Sequence, residues 1–302
     1  MRIVLGILIW LLYGTVLHAK DTLTIRTHTD TYSCSNGGKC AVAKYGLYGT
    51  SYLFSFFRDN DLKLTTDKLF EGIFTIDDEQ IKAKIPFKNG KAEGRAYLKK
   101  EDKGEFFTAE LEINYKEGKK HGLQRYNQKH LSYATYSTEE HFVNGTKHGV
   151  SKIYDENGTL TDEVTYQNGL MQGVGKTYKN ALLDSETPYL NGREHGESIH
   201  YFTYGDSVGK IAGRFRYERG NFAGATHYFE SGNISLEIFI ARDGSESDKR
   251  YYYENGVLSS NSTKNDSWTY YEDGSLKSHM SYKDGIYKYE NYDKNGTLIK
   301  DD

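Results

Sequence analysis

Ser207 sits in Gly205-Asp206-Ser207-Val208-Gly209, the G-x-S-x-G spacing that in hydrolases lifts a nucleophilic serine onto a sharp strand-to-helix turn. That chemistry needs a helix after the serine, and a histidine and an acid brought to it by the fold. The residues that follow, Lys210 to Glu218, alternate like a strand, so no catalytic residue is expected. Gly173-Val174-Gly175-Lys176-Thr177 is similar to the end of a phosphate-binding loop, but Leu170 stands where the pattern places another glycine. His121, His148 and His195 recur at one slot, each just before a glycine. Equivalent slots in neighbouring two-strand units lie about 10 Å apart, too far for one ion whose ligands sit about 2 Å away. No metal and no cofactor are expected. The acidic residues Asp155, Glu156, Glu230, Glu254, Glu272, Asp273 and Asp293 fall at turns and lack the D-x-D-x-D-G spacing of a calcium loop, so they read as solvated turn carboxylates.

The histidine slots belong to a repeated stretch, clearest from Phe142 to Leu160: F-V-N-G-T-K-H-G-V-S-K-I-Y-D-E-N-G-T-L. Its first half recurs as Phe87/Gly90/Gly94, Tyr115/Gly118/Gly122, Phe142/Gly145/Gly149, Tyr166/Gly169/Gly173, Tyr189/Gly192/Gly196 and Tyr217/Gly220/Gly224. Aromatic to glycine is three residues and glycine to glycine four in all six copies. The second half, an aromatic residue leading through an acidic turn to glycine, recurs around Gly158, Gly232, Gly256, Gly274 and Gly296. Asn-Gly supplies the positive φ of a tight hairpin, and the flanking Tyr, Thr, Val and Ile suit a pleated sheet. Two turns per unit imply two strands per unit, and a period in the low to middle twenties signals a repeat architecture. The twelve glycines of the first half are read as structural turn residues. After Gly224 the first half decays, keeping one glycine at Gly244 and at Gly285.

Composition agrees. Of 302 residues 37% are hydrophobic, and 27 Tyr and 14 Phe supply much of the apolar surface, which favours a thin sheet over a thick globular core. A formal net charge of -3 with interleaved signs offers no basic block for nucleic acid. Arg2 followed by an apolar run from Ile3 to Val16 and by Leu17-His18-Ala19 matches a secretory signal peptide over 1–19. Residues 20–56 lack the repeat and are expected to cap one end of an array spanning 57–302. Cys34 and Cys40 flank a Gly-Gly turn, and in an exported chain this spacing predicts a disulfide across a hairpin.

The pattern aromatic-x-N-G-x-x-x-G followed by Y-x-N-G-x-L resembles the MORN-repeat variant, the repeat of bacterial proteins often labelled YwqK-type antitoxins. The resemblance runs from about Phe70 to the C-terminus, with degenerate copies from Phe57. The expectation is an all-β, elongated single-sheet array of antiparallel β-hairpin repeats, a MORN-like solenoid in the periplasm or outside the cell. It is expected to be non-enzymatic and to bind another protein. The resemblance implies a toxin or effector as that partner and an immunity-type, antitoxin-like neutraliser as the role. The exposed turn positions Lys120, His121, Lys147, His148, Glu194 and His195 are the candidate partner-binding residues. The alternative is a cell-envelope scaffold for peptidoglycan, glycan or lipid headgroups.

Overall fold

A computed structural model describes residues 22–26, 31–35, 39–42, 71–77, 81–102, 107–130, 135–241 and 244–299. The expected signal segment Met1–Ala19 and the expected first repeat at Phe57 lie outside the described residues. The chain divides into two compact units, Met1–Leu170 and Met171–Asp302.

The first unit is a meander of long strands. Gly72–Asp77 pairs with Ile81–Lys88, then follow Gly94–Asp102, Phe107–Lys116, Lys119–His130, Tyr136–Val143, Gly149–Tyr154 and Leu160–Gln167, each antiparallel to the one before. The expected cap contributes Thr22–Arg26, Thr31–Ser35 and Lys39–Val42, the last pairing parallel to Gly72–Asp77, a departure from the all-antiparallel expectation. Cys34 and Cys40 are direct register partners on adjacent strands. The second unit continues the meander pattern within itself, from Gly173–Lys179 and Leu182–Leu190 to Leu276–Lys283, Ile286–Tyr292 and the short Leu298–Ile299.

The two glycines of each repeat do different work. Asn89 and Gly90 have φ of 49° and 71°, Asn144 and Gly145 54° and 90°, so the first glycine completes a tight turn with both central residues left-handed. The second glycine, expected at a turn as well, is a strand residue. Gly94, Gly149, Gly173 and Gly196 each open a returning strand, the last being Gly196–Tyr201, while Gly122 and Gly224 lie within Lys119–His130 and Asn221–Tyr228.

What demands glycine there is a bulge rather than a reversal of the chain. Phe142 pairs with Lys147, but Glu139 pairs with Lys152, so two extra residues enter at His148-Gly149. The same gain occurs at Gly94, between Phe87↔Ala92 and Lys84↔Tyr97, and at Gly196, between Tyr189↔Glu194 and Ser185↔His200. Because side chains alternate with a period of two, adding two residues leaves every side chain on its own face. The residue before the bulge glycine bonds back across it: the His195 N–H donates to the Pro188 carbonyl at 2.9 Å. Gly196 then holds φ of 108°, with the Pro188 ring 3.2 Å from where a Cβ would stand, and at Gly224 a Cβ would meet the Ile238 carbonyl oxygen at 2.7 Å.

Neighbouring turns are laced together. The N–H groups of Gly118, Gly145 and Gly169 donate to the carbonyls of Ala92, Lys120 and Lys147, and in the second unit Gly192 and Gly220 donate to Met171 and Glu194, all at 2.7–2.9 Å. The second turns close differently. Asp155 N–H donates to Thr159 O and Gly158 N–H to Asp155 O, and Tyr253, Tyr271 and Asp293 repeat this closure.

Alternation then sorts the side chains. In the first unit one face carries Ile81, Ile85, Leu98, Leu111 and Ile113, all fully buried. Each contributes on the order of 2 kcal/mol by leaving water. The other face is charged: Arg125 bonds Glu139 at 2.9 Å, and Lys152 lies 3.3 Å from Glu163. A repeat-encoded contact runs along the charged faces. Tyr154, Tyr201 and Tyr252 each donate a phenolic hydrogen bond to a glutamate fifteen residues earlier, Glu139, Glu186 and Glu237, at 3.3, 2.8 and 2.6 Å. The Tyr201 hydroxyl, with Lys176 beside it, holds the Glu186 carboxyl below its ordinary range, while Arg125 and then Tyr154 do the same for Glu139.

Two outcomes follow from this geometry. The turn at Asn180-Ala181 has φ of 52° and 64° without a glycine, a conformation that costs an L-residue about 1–2 kcal/mol. Ala181→Gly is expected to stabilise the protein by about 1 kcal/mol, read as a higher melting temperature, whereas a lower one would refute the turn geometry. A depressed carboxylate contributes stability above the unfolded glutamate value of about 4.3 and loses it as the pH falls through the folded value. Tyr201→Phe is therefore expected to raise the Glu186 pKa in a carboxyl-resolved NMR titration and to soften the loss of stability below that pH. An unmoved pKa would show that the phenol does not hold this carboxylate.

Candidate functional site

The six expected turn positions do not form one exposed rim. Lys120, expected to be exposed, is 2% exposed. It stands directly opposite Tyr115, and opposite residues share a face, so it is carried onto the buried side. Its Nζ lies 5.0 Å from the Phe142 ring centroid of the next hairpin. Lys147 repeats the arrangement, opposite Phe142, half-buried, with Nζ 5.2 Å from the Tyr166 ring centroid and 2.5 Å from Glu140 Oε1. These lysines link successive aromatic slots, a contact worth up to about 2 kcal/mol where water is excluded. Glu194, opposite Tyr189, is half-buried as well. The histidines one residue on differ: His148 and His195 are exposed, and His195 Nδ1 accepts from the Arg219 N–H at 3.3 Å, whereas His121 is half-buried with Nδ1 unpartnered.

Lys120 and Lys147 instead help to line an open cavity of about 380 Å³ on the apolar face of the first unit. Its position follows from register. The cross-strand row Ala96, Ile113, Gln124, Glu140 is apolar for two strands and then turns polar. Gln124 is 2% exposed, and its Nε2 donates to Glu140 Oε2 at 3.1 Å, while its Oε1 is buried without a partner. Tyr126 and Tyr136 stand beside it with ring centroids 5.8 Å apart. Gln124 and Glu140 escaped the sequence reading. Their signal was a polar residue at an inward position of an alternating strand, readable only once the bulge at Gly122 is placed.

A second surface lies on the last long hairpin, Leu276–Lys283 with Ile286–Tyr292. Register puts Met280 opposite Tyr289 and Tyr282 opposite Tyr287, so all four share one face. Tyr287 is 68% exposed and Tyr289 60%, and the Tyr282 and Tyr287 rings lie 4.6 Å apart. Leu298–Ile299 covers only Asn291 and Tyr292, so among the described residues 286–290 has a strand on one side alone. The decayed first half at Lys283-Asp284-Gly285 marks the turn, and the alternating tyrosines after it carry no repeat signature.

The remaining chemical candidates are placed as follows. Gly205–Ser207 is a 3-10 turn that leads into the strand Ile211–Glu218, with no helix after the serine. Ser207 is 3% exposed, and its hydroxyl donates to the Glu230 carbonyl at 3.3 Å. Gly173 to Thr177 lie within a strand. His200, Phe215 and His227 form an edge-to-face aromatic row, and burial, with His200 nearby, pushes the His227 pKa down. Among the described residues no group of His, Cys, Asp and Glu is placed to hold a metal ion, and no helix is long and apolar enough to cross a membrane.

No curated protein matches the chain. The family model described as MORN repeat variant matches residues 147–168 and 269–284, one segment in each unit, both on hairpins of the kind laid out above. MORN repeats are generally found in repeat proteins that bind protein or membrane. These two segments thus match the MORN repeat variant, and the described residues form an all-β, mainly antiparallel array of hairpins.

Proposed function

We propose that this chain is a non-enzymatic, exported binding protein that takes up an extended segment of a different protein along the open edge at residues 286–290. The observation that carries this reading is the pairing of an open strand edge with an exposed tyrosine face. An open edge supplies main-chain donors and acceptors to an added strand, and the side chains beside it supply specificity. Exposed aromatic patches of this kind mark interaction sites. The partner is foreign rather than a second copy. A two-fold antiparallel pairing over 286–290 would set Lys288 opposite Lys288, and like charges directly opposite destabilise a sheet. Lys288, 69% exposed and held 2.8 Å from Glu290, guards the edge against such self-pairing. The resemblance to antitoxin-labelled repeat proteins makes a toxin or effector the partner class, neutralised by steric cover of its active surface.

Export agrees with the signal-like stretch before Lys20 and with the register of Cys34 and Cys40. Direct cross-strand partners lie within the Cα separation that a disulfide spans.

Two measurements test this reading. The tagged chain is expected to retain a stoichiometric protein from its own cell envelope, identified by mass spectrometry. Tyr287→Ser with Tyr289→Ser should lose it at an unchanged melting temperature, because both rings are mostly exposed. Equal recovery by the double variant would move binding to another surface, such as the exposed turn at His148. Recovery of envelope glycan or lipid alone would replace the protein-partner reading. The purified exported chain should show no thiol reactive to alkylation until reduced, and two reactive thiols without reduction would remove the disulfide.

A further inference from the structure

We infer that His227, with the Phe215 ring it packs against, is an acid-sensitive latch on three strands of the second unit, closed while the imidazole is neutral and opened when it charges. The strands are Gly196–Tyr201, Ile211–Glu218 and Asn221–Tyr228, and the latch does not depend on the partner strand proposed for residues 286–290.

Register builds the cluster. His200 stands opposite Gly213 and Gly213 opposite His227, so two histidines flank a residue with no side chain. Phe215, two residues on and on the same face, folds its ring back into that gap, where a Cβ at Gly213 would stand 2.9 Å from the Phe215 Cε2. The ring centroid lies 4.6 Å from that of His200 and 5.1 Å from that of His227, with the planes at 61° and 84°. One phenyl ring thus ties all three strands together.

The surroundings favour the neutral imidazole. Across the ladder His227 meets Gly213 and Leu236 directly and Phe215 and Ile238 diagonally, none of which carries charge. Arg214, Arg216, Glu197 and Glu237 alternate onto the opposite face. Lys249, opposite Ile238, adds a cation to the face of His227. Beyond His200, the strand Leu182–Leu190 sets Ser185 opposite it, and the Asp184 carboxylate there accepts from the Thr177 hydroxyl at 3.4 Å. Burial, and after it the neighbouring His200, push the His227 pKa below the ordinary histidine value of about 6.5. Between the folded and the ordinary value the opened chain binds the more protons. Closure is therefore fully supported above that range and loses support as the pH falls through it.

Hydrogen exchange of the full chain, corrected for intrinsic rates, tests the latch. Segments 196–201, 211–218 and 221–228 are expected to open about three- to tenfold more at about pH 5.5 than at about pH 7.5, tenfold being roughly the ceiling for one histidine a pH unit below its unfolded value. Strands 94–102 and 107–116, which hold no histidine, should keep their protection. His227→Phe and His227→Gln cannot charge, so each should remove the pH dependence, a ratio that a change in basal stability leaves alone. In the wild type the His227 ring resonance should titrate below about 6.5. Titration at or above that value, no acid loss or an equal loss in the control strands, or wild-type acid sensitivity in both variants would each overturn the proposal. None of these results bears on the capture of a protein at Tyr287 and Tyr289.

Discussion

The left-handed backbone at the Asn-Gly turns is the constraint on which the rest depends. A two-residue hairpin whose central residues both hold positive φ matches the right-handed twist of its strands, so each turn sets the register of the pair it joins. Register then decides which side chain meets which. The turn at Asn144-Gly145 places Lys147 opposite Phe142, and the bulge at Gly149 adds two residues, so Glu139 meets Lys152 without any residue changing face. One added residue would have turned the ion-pairing side of the strand toward the apolar side. The glycines are thus less a flexible feature than the origin of both faces.

Once register is set, the repeats are coupled by contacts that no single hairpin could make. A turn glycine N–H finds the carbonyl two residues past the previous turn glycine, a lysine reaches the aromatic ring of the following unit, and a tyrosine bonds a glutamate fifteen residues before it. An isolated hairpin is marginal in water, and a stack in which each unit satisfies its neighbour is not. This explains how a chain with sparse aliphatic residues orders so many strands. Buried aliphatics such as Leu98, Leu111 and Ile113 are concentrated in the first unit, while the second relies on hydroxyl pairs such as Thr177 with Ser185 and Thr269 with Ser278, at 2.7 and 2.6 Å.

The fold was legible because its determinants are local. Asn-Gly spacing announces the hairpins, and the aromatic slots announce the strands. Several features were less legible. The turn at Asn180-Ala181 lacks the glycine that marks its equivalents, and the strain it carries is invisible to a pattern built on Gly. The second glycine, as at Gly149 and Gly196, looked like another turn because sequence shows that a residue must be Gly without showing whether the chain reverses there. Lys120 looked exposed because lysine beside a turn usually is, whereas its exposure depends on the residue it faces across the ladder, Tyr115. Gln124 was hidden for the same reason: its inward direction depends on the length of the bulge before it.

The repeat stops agreeing with itself at two places, the row through Gln124 and the last long hairpin. In the row Ala96, Ile113, Gln124, Glu140, a polar side chain takes a position that the preceding strands fill with apolar ones, and its oxygen is left unsatisfied. In the last long hairpin, Tyr287 and Tyr289 stay mostly exposed opposite Tyr282 and Met280, and among the described residues the short strand beyond pairs only with Asn291 and Tyr292. A repeat that only needed to be stable would continue its best unit at both places. Local choices that oppose the surrounding pattern lower foldability and are retained where they serve contact with something else. At the last hairpin the exposed backbone groups beside Tyr287 and Tyr289 suit an extended chain.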